Sequence, residues 1–258
     1  MTKSRTVLIS TVQYEAELRS GAIDFRGVLD VAKRLGVDGV EFRDVYWKDK
    51  GADIAMVCSA LQDLGLVATY ATFTTLFGGE QANQEALRTA VDDAAALGAL
   101  LVRVFPGQVP TVDDTRAWEK ASEAIDYAAR RKVVVALENF VRSPGCHLSE
   151  VKQVLDRIRT PSLRTNLDIG NYAMNGEDVA GAIRTLGDRI ISSHLKDVAD
   201  TPDGPVATYL GGGKLPLASL LAEFDRLPHP VFHCFEFGGG GDPEDRIKKS
   251  LTLLATLR

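Results

Sequence analysis

Apolar residues recur along the chain in two alternating rhythms, and their order predicts the fold. Short runs rich in Val, Ile, Leu and Phe occupy residues 7–12, 39–42, 66–70, 100–105, 133–137, 163–168, 190–195 and 231–237. Their length and composition predict buried strands. Between them apolar positions return every three or four residues, which predicts helices over 25–35, 54–64, 83–97, 113–131, 149–158, 177–186 and 217–227, and a last one over 243–257. Start and stop signals agree with these limits. Asp242 precedes Pro243, Glu244 and Asp245, while Gly36, Gly65 and Gly98 follow the ends of the first three helical stretches.

Strict alternation of strand and helix through short connections calls for parallel pairing. Eight such units in 258 residues is the size of a closed (β/α)8 TIM barrel. An open doubly wound sheet is the alternative, but no Gly-rich phosphate turn follows the first strand. Nothing in the pattern reads as a linker or low-complexity tract. One α/β domain over residues 1–258 is therefore expected, with its active site at the carboxyl ends of the strands.

Strand alternation then tells which side chains share a face. In LRTNLDIGN, Asn166 and Asp168 point one way; in RIISSHLKDV, Ser192, His194 and Lys196 do. Glu138 ends the fifth run, VVVALENF, and Glu236 ends the eighth, VFHCFEF. Four consecutive strands thus present Glu138, Asp168, His194 and Glu236 at one rim. Three carboxylates converging on a barrel mouth repel one another and resist desolvation unless a cation neutralises them. One imidazole with three carboxylates is an oxygen-rich donor set. It suits one divalent ion, Mn²⁺ foremost or Mg²⁺, with Co²⁺ or Zn²⁺ tolerated. Cys234 has the parity of Glu236 two residues deeper and reads as a small core residue.

The same rim offers further polar groups. Glu41 and Arg103 have inward parity on the second and fourth strands, Lys196 lies two residues beyond His194, and Asn171 follows the sixth strand. These four are expected to bind substrate or to pair with neighbouring charges, and Asn139 and Asn171 are suited to orient ligand residues. Two loops read as covers over the mouth. In ATFTTLFGGE, Phe73, Leu76 and Phe77 would be exposed; residues 200–216 contain TYLGGGK, which lacks P-loop spacing and reads as a flexible lid or hinge. His147, His229 and His233 are assigned structural places.

A formal charge of −5 and a pI near 5.5 provide no field for nucleic acid or an anionic membrane. No apolar run approaches spanning length, and no signal peptide is read at the start. Cys58, Cys146 and Cys234 are odd in number and widely spaced, as in a reduced protein, so a cytoplasmic location is expected. The apolar loop residues are compatible with a homo-oligomer.

Taken together, VALENF, NLDIGN, HLKDV and CFEF, with GVEFR on the second strand and VRVFPG on the fourth, give a chain that resembles the xylose isomerase-like barrels of the sugar phosphate isomerase/epimerase superfamily. The resemblance implies the barrel, a divalent metal on Glu138, Asp168, His194 and Glu236, and a base and acid pair formed by Glu138 and Glu236 on opposite faces of a bound sugar. The implied activity is isomerisation or epimerisation of a small sugar, keto-sugar or sugar derivative. Moving a proton alpha to a carbonyl passes through an ene-diolate, whose charge a divalent cation stabilises. A metal-dependent lyase or dehydratase, which eliminates at the beta carbon after the same proton removal, is the alternative. DNA-cleaving members of the superfamily carry a further His three positions after the strand-six Asp, where this chain has Asn171. A small carbohydrate-type substrate is therefore expected, with no nucleic-acid or membrane partner.

Overall fold

The computed structural model describes residues 5–78, 81–238 and 241–257. Its strands are β1 (Thr6–Ser10), β2 (Gly39–Arg43), β3 (Val67–Phe77), β4 (Leu101–Gly107), β5 (Val134–Glu138), β6 (Leu163–Asp168), β7 (Ile190–Leu195), β8 (Asp197–Thr201), β9 (Gly204–Thr208) and β10 (Phe232–Phe235). All but β8 and β9 pair in parallel and close into a barrel, in the order β1, β10, β7, β6, β5, β4, β3, β2. Around it run α1 (Glu15–Ser20), α2 (Phe25–Leu35), α3 (Lys50–Leu64), α4 (Gln81–Leu97), α5 (Thr115–Arg130), α6 (Leu148–Arg157), α7 (Ile169–Met174), α8 (Val179–Leu186), α9 (Leu217–Asp225) and α10 (Pro243–Thr256). No helix among the described residues is long and apolar enough to cross a membrane.

The main apolar core lies between barrel and helices. Ile9, Val40, Phe42, Val102, Val104, Val135, Leu137, Leu167 and Phe235 from the strands join Val28, Leu29, Val57, Ala94, Ile125, Val154, Ile183 and Leu221 from the helices. Each of the Val, Leu, Ile and Phe side chains contributes about 1.5–3 kcal/mol when fully buried. This outer shell supports the fold, so the barrel axis can hold polar groups: Ser10, Glu41, Thr69, Arg103, Glu138, Asn166, Asp168, Ser192 and His194 are all buried there. Register aligns them. Asp168 lies opposite His194, His194 opposite Cys234, and Glu138 opposite Asn166.

The expected strands and the eight long helices are present, and two short helices are additional. α7 starts directly after Asp168, whose Oδ1 accepts from the Asn171 N–H at 2.8 Å and caps it. Its sequence, IGNYAM, is too short to show helical periodicity.

Both expected lid loops are corrected. β3 runs on to Phe77 through a register shift between Ala71 and Thr75, so Leu76 and Phe77 are buried; Phe77 meets the Trp118 ring edge-on at 5.0 Å. Phe73, in the bulge, is 51% exposed as expected, whereas Gly79 and Glu80 lie outside the described residues. Residues 200–216 are no flexible lid. β8 and β9 form an antiparallel hairpin, and the glycine-rich segment after it wraps around Asp197. Asp197 Oδ1 accepts from the N–H groups of Val198 (2.8 Å) and Leu215 (2.9 Å), and Oδ2 from Gly211 (3.1 Å) and Gly213 (3.0 Å). Gly211 has φ +87°, and a Cβ on Gly213 would lie 2.3 Å from the Val198 carbonyl oxygen, so both turns require glycine. Asp197→Ala would strip these donors of their acceptor and should destabilise the fold by about 2–3 kcal/mol, read as a lower chemical-denaturation midpoint. An unchanged midpoint would show that the loop is held by something else.

Candidate metal and active site

At the carboxyl end of the barrel, Glu138 closes β5, Asp168 closes β6, His194 is the penultimate residue of β7, and Glu236 directly follows β10. One ligand-type atom from each lies within 4.8 Å of all the others. His194 orients the set. Its Nε2 is 3.0 Å from Glu41 Oε2, and a carboxylate only accepts, so Nε2 carries hydrogen and donates. Nδ1 then faces Glu138 Oε1 at 3.5 Å, Asp168 Oδ2 at 3.6 Å and Glu236 Oε2 at 3.7 Å, and it forms no hydrogen bond among the described residues. A bare lone pair aimed at three carboxylates is repulsive. A proton or a metal ion has to stand there.

The metal fits. The imidazole nitrogen stands 3.5, 3.6 and 3.7 Å from the three oxygens, a separation at which it can share one ion with each of them. The second oxygens have other partners. Asp168 Oδ1 caps α7, while Oδ2 faces the centre and is shared with the Lys196 ammonium at 2.7 Å. Glu138 Oε2 lies 2.8 Å from Arg103 Nε, and Glu138 Oε1 accepts from Asn171 Nδ2 at 3.1 Å. Asn139 brackets the next strand: its Oδ1 accepts from Asp168 N–H at 2.8 Å and its Nδ2 donates to the Asp168 carbonyl at 2.9 Å. Such outer contacts fix ligand orientation.

Charge follows from this packing. Burial alone would raise the Glu138 pKa, but Arg103 and then His194 outweigh it and hold the group below its usual range. Glu236 is likewise lowered, with Lys196 and His194 outweighing burial. Burial keeps Asp168 raised despite Lys196. For His194, burial is overcome by Glu41, Glu138 and Glu236, and its pKa rises well above the ordinary value.

Every sequence-predicted site residue reaches this cluster, with partners already assigned to several. Glu41 is held by His194. Arg103, 1% exposed, pairs with Glu138 and donates through Nη1 to the Thr72 carbonyl at 2.7 Å, an acceptor presented by the β3 bulge. Lys196 Nζ bridges Asp168 Oδ2 (2.7 Å) and Glu236 Oε2 (2.6 Å). Its stem passes Gly170, where a Cβ would sit 2.3 Å from Lys196 Cγ. Glu236, at 12% side-chain exposure, is the most open of the four clustered residues.

The remaining histidines and Cys234 hold structure. His233 Nδ1 is 2.7 Å from Ser193 Oγ, and burial lowers its pKa to about 4, so it stays neutral. His229 Nε2 is 2.6 Å from the Ile190 carbonyl, and His147 Nδ1 lies 3.0 Å from Glu177. Burial pushes the Cys234 thiol well up, against any role as a thiolate. Arg43 was missed by the sequence reading, though it is two residues beyond Glu41 on the same strand face and 3.8 Å from Glu236 Oε1.

A parallel barrel with an acidic and imidazole cluster at its carboxyl rim defines the class: a (β/α)8 barrel with a candidate metal centre. The chain belongs to the xylose isomerase-like TIM barrel family, whose sequence profile matches residues 29–257. No curated protein matches it by sequence. Among solved structures it is similar to D-allulose 3-epimerase from Methylomonas sp., crystallised with D-allulose, at 20% identity and TM-score 0.79 over 98% of this chain and 97% of that one. It is also similar to the probable 3-DHS dehydratase AsbF from Bacillus anthracis, at 18% identity and TM-score 0.76 over 97% and 98%. D-psicose 3-epimerase from Clostridium cellulolyticum H10 aligns at 14% identity and TM-score 0.77 over 98% and 99%.

Proposed function

We propose that the protein is a divalent-metal-dependent isomerase or epimerase of a small keto-sugar or sugar derivative. The observation that carries this is the His194 Nδ1 atom, buried and aimed at the oxygens of Glu138, Asp168 and Glu236. These four residues are the proposed ligands, and a divalent ion they hold would supply positive charge for the oxygens of an ene-diolate. Mn²⁺ is the proposed ion, given one nitrogen and three carboxylate donors.

Glu138 and Glu236 approach the centre from different strands, and both are held below the usual carboxylate range, so each starts as an acceptor. One removes the proton alpha to the carbonyl and becomes a carboxylic acid; isomerisation returns that proton to the neighbouring carbon, and epimerisation delivers to the opposite face a proton that the other carboxylate has taken up from solvent. Lys196, an ammonium whose pKa is raised by Asp168 and Glu236 against its burial, is placed to polarise a substrate oxygen. Glu41, Arg103 and Asn171 keep His194 and Glu138 in position and border the substrate.

The epimerases and the dehydratase among the structural neighbours match the fold about equally well, so elimination at the beta carbon is the second reading. The test joins metal and reaction. Protein purified without chelator should carry about one equivalent of Mn²⁺ or a similar ion and should exchange the alpha proton of a keto-sugar in D₂O. No metal and no affinity for it would overturn the centre. An unsaturated product would replace the first reading with the second.

A further inference from the structure

Three cations surround the cluster, and two have their partners. Arg103 is taken up by Glu138 and the Thr72 carbonyl, and Lys196 by Asp168 and Glu236. Arg43 differs. Its side chain is 11% exposed, yet among the described residues its guanidinium donates no hydrogen bond, and its Nε is wholly buried without an acceptor. The ion pair to Glu236 Oε1, at 3.8 Å, is too long to be a hydrogen bond. Leaving the buried Nε donor unmatched is costly, unless a ligand brings an acceptor.

The surroundings say what kind. Arg43 Cζ lies 4.8 Å from the centre of the Phe73 ring, a cation–π contact with an aromatic side chain that is itself 51% exposed. Phe73 continues through Phe105 (6.1 Å) to Phe140 (4.9 Å), a shelf suited to the C–H face of a sugar-like carbon chain. A planar guanidinium edge matches the two oxygens of a carboxylate.

We infer that Arg43 is a substrate-binding residue selecting a carboxylate, so that the substrate is a keto-sugar acid or a similar hydroxy-keto acid and not a neutral ketose. This rests on the proposed reaction and names its substrate class.

Three compounds with one carbon framework test it: D-fructose, D-fructuronate and D-fructose 6-phosphate, ending in hydroxymethyl, carboxylate and phosphate. Calorimetric titration of the Mn²⁺-loaded protein should find D-fructuronate bound at least about tenfold more tightly than either of the others, and Arg43→Gln should reduce that preference to within about threefold. Mn²⁺ content and circular dichroism of the variant should match the parent. Full preference in Arg43→Gln, equal or tighter binding of either other compound, or no binding of D-fructuronate would overturn the inference. Proton exchange in D₂O separates it from the reading beneath it. Arg43-dependent binding of D-fructuronate without exchange of any compound would keep the carboxylate site and remove the isomerase. Exchange of D-fructose with no carboxylate preference would do the reverse.

Discussion

Glu138→Gln should slow alpha-proton exchange in a bound keto-substrate by about 10²–10⁴-fold or more, the loss typical of removing a positioned general base. Two effects combine at this residue. An amide cannot take the proton, and its NH₂ group would either face Arg103 Nε, where an anionic oxygen now lies at 2.8 Å, or meet Asn171 Nδ2, donor against donor. Metal retention should therefore fall as well. Glu236→Gln should cost a similar factor in exchange while keeping more of the metal, because its buried partner Lys196 can still donate to an amide oxygen. Exchange followed by proton NMR in D₂O, with metal content measured on the same samples, checks both variants. Near-normal exchange in either would remove that residue from the reaction.

His194→Ala should weaken Mn²⁺ binding by more than the 10–100-fold typical of losing a contact that merely orients a ligand. Glu41→Gln, which leaves the ring in place but weakens its anchor, should fall within that 10–100-fold range. The two variants also differ in pH response. The surrounding carboxylates raise the His194 pKa well above its ordinary value, so at neutral pH a metal has to displace a proton from Nδ1. Affinity should thus climb by about tenfold per pH unit while the ring is protonated, then level off above its pKa. Acid weakens binding and base strengthens it. A Mn²⁺ titration across pH should show this slope in the parent and lose it in His194→Ala; a flat profile in the parent would mean that no ring proton is displaced.

Period-two alternation made most of the centre legible. It aimed Glu41, Arg103, Glu138, Asp168, His194 and Glu236 at one axis, and parallel register then aligned them. What alternation does not carry is pairing. That Arg103 belongs to Glu138, or that Lys196 bridges two carboxylates, depends on diagonal reach between side chains of neighbouring strands, Arg103 itself standing opposite Ala136. The loops were misread for a different reason. Gly and Pro between residues 200 and 216 signal irregular backbone, but the group that orders it, the Asp197 carboxylate, precedes the glycines by more than ten residues. At the end of β3, apolar Leu76 and Phe77 read as exposed because a strand crossing a bulge breaks its own period. Arg43 was readable by the same two-residue step that singled out Lys196 beyond His194. Its distinguishing property, donors without acceptors, exists only in three dimensions.

The hairpin above the mouth has a practical use that follows from how its base is held. Asp197 adjoins Lys196 and grips the chain on the far side of β9, while Thr201, Pro202 and Asp203 at the tip are exposed. A dye or short peptide grafted at 202–203 would ride on a stalk whose root is tied by four hydrogen bonds to Asp197, at a position where inserted chain meets solvent. Changes in its emission as ligands arrive would then report events at the rim without any alteration to the residues that bind them.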